Sequence, residues 1–185
     1  MDRLAAAWNR AEECLKIAEQ TVGETAIPAI NELRYAGRKM VEAHEVGDPT
    51  RASELLRDAT FDCHRAQHDA LDVAVTLMVS RVDTMTDRLG FSRVVAALPD
   101  LSDFLADLTL AQERIARSRR DRVDRAKVYD EIGEIDLPRL RERYQRLVAS
   151  EDRIALEVRR ERRWKAASVA IGIVGIVLAL LALLL

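Results

Sequence analysis

Residues 166–185 contain no charged side chain and a single hydroxyl, Ser168. Twenty helical residues rise about 30 Å, the hydrocarbon thickness of a bilayer. The run therefore predicts one transmembrane helix, read as a tail anchor because the sequence stops at residue 185. It divides the chain into a body at 1–158, a neck at 159–165 and a span at 166–185.

The neck carries Arg159, Arg160, Arg162, Arg163 and Lys165 against Glu161 alone, with Trp164 among them. Basic residues crowded at one end of a span mark its cytoplasmic side, and an indole there suits the headgroup boundary. Each such cation attracts anionic lipid by about 1 kcal/mol. Membrane lipid is thus the first expected partner, with the body on the cytoplasmic face of the inner membrane. Asp2, Arg3, Arg10, Glu12 and Glu13 interrupt any apolar stretch of signal-peptide length near the start. Cys14 and Cys63 are too few for a disulfide framework and read as small buried residues of a reducing compartment.

The net charge of −2 conceals a division, because the neck leaves 24 basic and 30 acidic residues for 1–158. A mildly acidic body argues against nucleic acid as its general partner.

Seven Gly and four Pro punctuate the chain, and no alternating β-branched run suggests a strand. The spacing predicts an all-α bundle of about five helices, the last continuing into the single C-terminal span. A first helix over 2–21 turns Leu4, Trp8, Ala11, Leu15 and Ala18 to one side. A second, over 28–45, places Ile30, Leu33, Gly37, Met40, Val41 and His44 on its apolar side. Asp48-Pro49 is an N-cap with proline in the first turn and opens a long helix to Leu89, closed by Gly90. Its stripe reads Phe61, His64, His68, Leu71, Val75, Met78, Val82, Met85, Leu89. A short helical connector over 91–98 leads to Pro99. The Asp100/Asp103 pair then caps a helix to about residue 132. In the second half of that helix Arg114, Arg117, Arg119, Arg120, Arg122, Arg125 and Lys127 are expected to form a solvated face paired within the helix to Glu113, Asp121 and Asp124, with a docking surface for an acidic partner as the alternative.

Gly133 is read as a stop, Asp136 as the next cap, and Pro138 as lying in a first turn. The seam that follows has no phase break: Leu137, Leu140, Tyr144, Leu147, Glu151, Ile154, Val158, Glu161, Lys165, Ser168, Gly172, Gly175, Ala179, Ala182. One helix of about 70 Å would carry it from the bundle into the bilayer. The two glutamates face either partners or water; if buried they need a cation, which Arg119 or Arg122 on the preceding helix could supply. Inside the bilayer the small residues Ser168, Gly172, Gly175, Ala179 and Ala182 form a face on which a second helix packs closely, so a homo-oligomer through the tail is expected.

Polar residues gather in two strings expected to face each other, Asn31-Glu32-Leu33-Arg34-Tyr35-Ala36-Gly37-Arg38 and Asp62-Cys63-His64-Arg65-Ala66-Gln67-His68-Asp69-Ala70. An interhelix network of Arg34, Arg38, Asp62, Arg65, His68 and Asp69 follows, with Arg34 or Arg38 paired to Asp62 or Asp69. His64 and His68, four apart, have the spacing of a metal-ligand pair that His44 or Glu32 would complete. Buried neutral imidazoles hydrogen-bonded to neighbours are the competing reading, and no metal or other cofactor is expected. The chain lacks a glycine-rich phosphate loop, a serine nucleophile with a partnered histidine, a carboxylate cluster with metal spacing and an aromatic platform for bases.

The two strings, within 28–75, resemble small HEPN-like helical domains of bacterial conflict and defence systems. The resemblance implies either a ribonuclease acting on the cell's own RNA or a catalytically inactive sensor or adaptor. Its signature, arginine followed after four to six residues by histidine, is met by Arg38 with His44 and by Arg57 with His64. In such a nuclease the histidine would take a proton from a ribose hydroxyl and the arginine would hold the phosphate. The expected function is non-catalytic: a tethered helical module that meets a protein partner and acts through assembly of its tails. A membrane-tethered ribonuclease and an inert scaffold are the alternatives.

Overall fold

The computed structural model describes residues 2–120 and 125–184, with side chains over 3–120 and 127–175. Over those residues the chain is a helical bundle: α1 Asp2–Val22, α2 Ile27–Glu45, α3 Pro49–Leu89, α4 Phe91–Ala97, α5 Leu101–Arg120, α6 Arg125–Glu131, a π-helical turn Ile132–Asp136, and α7 Leu137–Leu184. Gly23, at φ 74°, ends α1, and Pro28 sits in the first turn of α2. Asp48 caps α3 by accepting from the Thr50 amide at 2.9 Å. Gly90, at φ 89°, turns the chain from α3 into α4.

The 41 residues of α3 run through the whole bundle and change partners on the way. Its first half lies between α1 and α2, its second half against α5, α6 and α7. At about 100° per residue, the buried set Leu55, Ala59, Asp62, Cys63, Ala66 and the set Leu71, Val75, Met78, Val82, Met85, Leu89 lie more than a third of a turn apart. The expected stripe is therefore correct from His68 onward and wrong before it. Phe61 is 58% exposed and His64 is also exposed, because α1 and α2 grip α3 from another side.

The first half of α3 and the α1–α2 hairpin form a head with an unusual grain. Its buried residues are mostly alanines at heptad spacing, Ala11 and Ala18 on α1, Ala29, Ala36 and Ala43 on α2, Ala59 and Ala66 on α3. Such small side chains let helices approach closely. The apolar side expected for α2 is corrected accordingly: Met40, Val41 and His44 are exposed, and the buried face is Ala29, Leu33, Ala36, Ala43. Large residues fill the rest of the molecule, where Phe104, Tyr129, Met78, Met85 and Leu147 are fully enclosed.

α5 and the α6–α7 arm run antiparallel on either side of residues 121–124, as the ties Arg114–Glu131, Asp107–Arg139 and Asp100–Arg146 require. Gly133, Asp136 and Pro138 do not mark a helix boundary. Helix continues through them as the π turn, where the Leu137 amide donates to the Ile132 carbonyl. The widened turn relieves the strain of Pro138, whose ring and missing N–H would otherwise disrupt the α-helical ladder one turn back. The basic half of α5 also differs from expectation. Arg114 reaches Glu131 and Asp136 across the hairpin, and Arg119 reaches Asp72 on α3. Asp121, Arg122, Asp124 and Arg125 lie outside the described side chains.

Along α7, Leu137, Leu140, Tyr144, Leu147, Glu151, Ile154 and Val158 are buried, and every described side chain from Arg162 to Gly175 is exposed. Among the described residues no helix is long and apolar enough to cross a membrane. Half of the apolar run, 176–185 with Ala179 and Ala182, lies outside the described side chains.

Candidate functional site

The head holds the expected arginine–histidine residues in two separate places. Arg57 and His64, two turns apart on α3, line a cleft of about 300 Å³ together with Arg3, Leu4, Leu56, Thr60 and Phe61. Arg38 lines a different cleft, of about 360 Å³, with Glu32, Tyr35, Lys39, Glu42, Asp62 and Arg65. His44 stands exposed in the last turn of α2, outside both clefts. His64 and His68 part company as well: His64 faces out, while His68 is buried with its ring stacked on Tyr129 at 3.8 Å. Among the described residues no group of three or more His, Cys, Asp or Glu side chains is placed to hold a metal ion.

Asp62, almost fully buried, is the centre of the α2–α3 network, and its cation is Lys39 at 2.7 Å. Arg65 adds a contact to it at 3.5 Å and reaches Glu32 at 3.9 Å. Arg34 instead donates to Asn31 in its own helix, at 3.2 Å. Burial pushes the Glu32 carboxyl up, Arg65 and Lys39 oppose this, and Asp62 and Asp69 add to it. Lys39 was detectable once the alanine seam is recognised, since Ala36, Lys39 and Ala43 step by three and four.

A second polar junction lies where α1, α3 and α6 meet. The Tyr129 hydroxyl donates to Asp72 at 2.9 Å, and Arg119 pairs with the same carboxylate, which raises the guanidinium pKa. Gln67 donates to Asp130 at 3.3 Å, and Arg10 ties Asp130 and Glu134 at 3.0 and 3.1 Å. These pairings join residues 47 or more positions apart, so local spacing carried no signal for them.

The third cluster sits at the neck. Glu151, 9% exposed, receives Arg81 at 2.9 Å and also Arg88, both from α3. Three turns later Glu161 is held by Arg93 of α4 and by Lys165 at 2.8 Å. Lys165 first and Arg93 second keep the Glu161 carboxyl below its usual range. The cations expected from the α5 side, Arg119 or Arg122, are thus replaced by three arginines of the α3–α4 corner, because α7 turns this part of its seam toward α3. Asp87, Arg88, Leu89, Gly90, Arg93, Val158, Glu161, Arg162 and Lys165 enclose a cleft of about 250 Å³ there. Arg159, Arg160, Arg163 and Trp164 project from α7 into the open around it.

Chemically, the neck and head offer binding and positioning: cations fixed on carboxylates, apolar clefts, and thiols pushed up by burial, Cys14 to about 12 and Cys63 to about 11. The chain matches no family model, no curated protein and no solved structure.

Proposed function

We propose that the chain is a membrane-tethered, non-catalytic adaptor or effector, in which a cytoplasmic helical bundle acts through assembly of its C-terminal helices. One observation carries this reading. α7 is a single helix from the buried seam at Leu137 to Leu184, so its apolar run is rigidly continuous with the bundle core. An uncharged helix over 166–184 behind a basic neck suits the bilayer, and the sequence spacing of Ser168, Gly172, Gly175, Ala179 and Ala182 suits close packing.

Light scattering in mild detergent tests the assembly. A Cβ added at Gly172 or Gly175 meets nothing within 4 Å, so Gly172→Leu with Gly175→Leu leaves the single chain undisturbed. The wild type should be an oligomer and the double variant a monomer. An oligomer of unchanged mass in the variant overturns the small-residue interface, and a monomeric wild type overturns assembly through the tail.

A ribonuclease reading is supported less well, although Arg57 and His64 share a cleft. Leu4, Leu56 and Phe61 dominate its lining, and an apolar floor suits a phosphate backbone poorly.

A further inference from the structure

We propose that the cleft between the α3–α4 corner and the neck of α7 binds the phosphate of an anionic phospholipid. This rests on the membrane reading of 166–185. Four cations, Arg88, Arg93, Arg162 and Lys165, face two carboxylates, Asp87 and Glu161, around a cleft of about 250 Å³. Glu161 acts as a template: it fixes Arg93 from one wall and Lys165 from the other, and Arg93 is held further by the Leu89 carbonyl at 3.1 Å. Arg162 has no carboxylate partner among the described residues. Its planar fork suits two phosphate oxygens at once.

Depth selects a lipid as the source of that phosphate. Lys165 immediately precedes the apolar run, and Arg162 lies one turn above it, about 6 Å from residue 166. The cleft then stands at headgroup level, with the acyl chains lying along α7 below. Gly90 makes this placement possible, since its positive φ turns α4 so that Arg93 points back to α7. Arg159, Arg160 and Arg163 lie at similar depth but outside the cleft, and supply only diffuse attraction to a charged surface.

The experiment reconstitutes the full chain in nanodiscs of phosphatidylcholine with a minority of phosphatidylglycerol and counts the lipids retained in native mass spectrometry. The wild type should retain phosphatidylglycerol. Arg162→Gln, which breaks no ion pair among the described residues, loses the paired contact to the phosphate as well as one charge and should lower that retention well beyond the roughly fivefold that one surface charge accounts for, and Arg93→Gln should do the same. The control, Arg159→Gln, removes one charge outside the cleft and should lower retention by about fivefold at most. Equal losses in control and cleft variants would show diffuse attraction and overturn the site. A parallel arm adds inorganic phosphate to phosphatidylcholine nanodiscs and follows phosphorus NMR line width. Broadening that depends on Arg162 would make this a free-anion site and overturn the lipid assignment. Insertion without any lipid preference removes this site alone, whereas failure to enter nanodiscs removes the membrane reading together with it.

Discussion

Glu151 interrupts an apolar seam, and its surroundings set the cost of each way of removing the interruption. Its side chain is 11% exposed, whereas those of Arg81 and Arg88 are 48% and 54% exposed. The carboxylate has been taken out of water and the guanidiniums largely have not. Arg81→Ala with Arg88→Ala therefore leaves a buried, unpaired charge, which costs about 3 kcal/mol, the low end for such a group because some water still reaches it. Glu151→Leu leaves only half-solvated arginines. It forfeits about 1 kcal/mol of net ion pairing and gains roughly 1.5–3 kcal/mol from a leucine between Leu147 and Ile154.

Thermal unfolding of the full chain in mild detergent, followed by far-ultraviolet circular dichroism, reads the difference. At about 2–4 °C per kcal/mol for a chain of this length, the double arginine variant should melt roughly 6–12 °C below wild type. Glu151→Leu should melt within about 4 °C of wild type or above it. The decisive variant is the triple, in which Glu151→Leu should restore most of the loss caused by the two arginine changes. A triple variant as unstable as the double would mean that the arginines stabilise the bundle by packing of their stems, and the argument from buried charge would fail.

Deleting exposed Ile135 together with Pro138→Ala should convert the π turn to α-helix while keeping Ile132 and Leu137 buried, so the melting temperature should move by only a few degrees. Deleting exposed Ala149 instead rotates Glu151, Ile154 and Val158 by about 100° and should cost more than 3 kcal/mol in the same assay. The two thiols should resist iodoacetamide at pH 8 in the folded chain. For Cys14 the thiolate is on the order of a thousandfold scarcer than in the unfolded chain. Because its folded pKa, about 12, lies above the ordinary 9.0, the associated stability is complete below pH 9 and is lost as pH rises toward 12; denaturant melts at pH 8 and pH 11, compared with Cys14→Ala, should show it.

How far the sequence could be read depended on whether an element keeps one partner. From Leu137 to Val158, α7 packs a single face on the bundle, and there the three–four periodicity traces the buried residues directly. In α3 the same rule fails before His68, because the buried face turns when the neighbours change from α1 and α2 to the later helices. In α2 size misled: Met40 and Val41 are more apolar than Ala36 and Ala43, yet the close approach of helices admits only the alanines. Their seven-residue spacing, repeated in α1 and α3, was the available signal. At the π turn Gly133, Asp136 and Pro138 have the chemistry of a boundary, and only the antiparallel packing of α5 on both sides of it keeps the helix unbroken. Arg57 and His64 were separable as a pair from sequence, but not their apolar cleft, since Arg3 and Leu4 come from another helix.

The two kinds of packing assign different mechanical roles along the molecule. Alanine contacts bury little area per residue and allow helices to slide at small cost, whereas enclosed aromatic and long aliphatic side chains resist displacement. Head and neck are nonetheless joined by one uninterrupted helix: from Phe61 to Arg88 α3 advances about 40 Å. The cleft at Phe61 thus lies at one end of α3, and at the other end Arg81 and Arg88 hold Glu151 of α7. Rotation of α3 about its axis would move the arginines sideways relative to that carboxylate. The clamp must then either break or turn α7 with it, and α7 has no break below Glu151 at which the rotation could dissipate before the apolar run. Ion pairs with half-solvated arginines are suited to this, because they can re-form at a new angle without stranding a cation in the core.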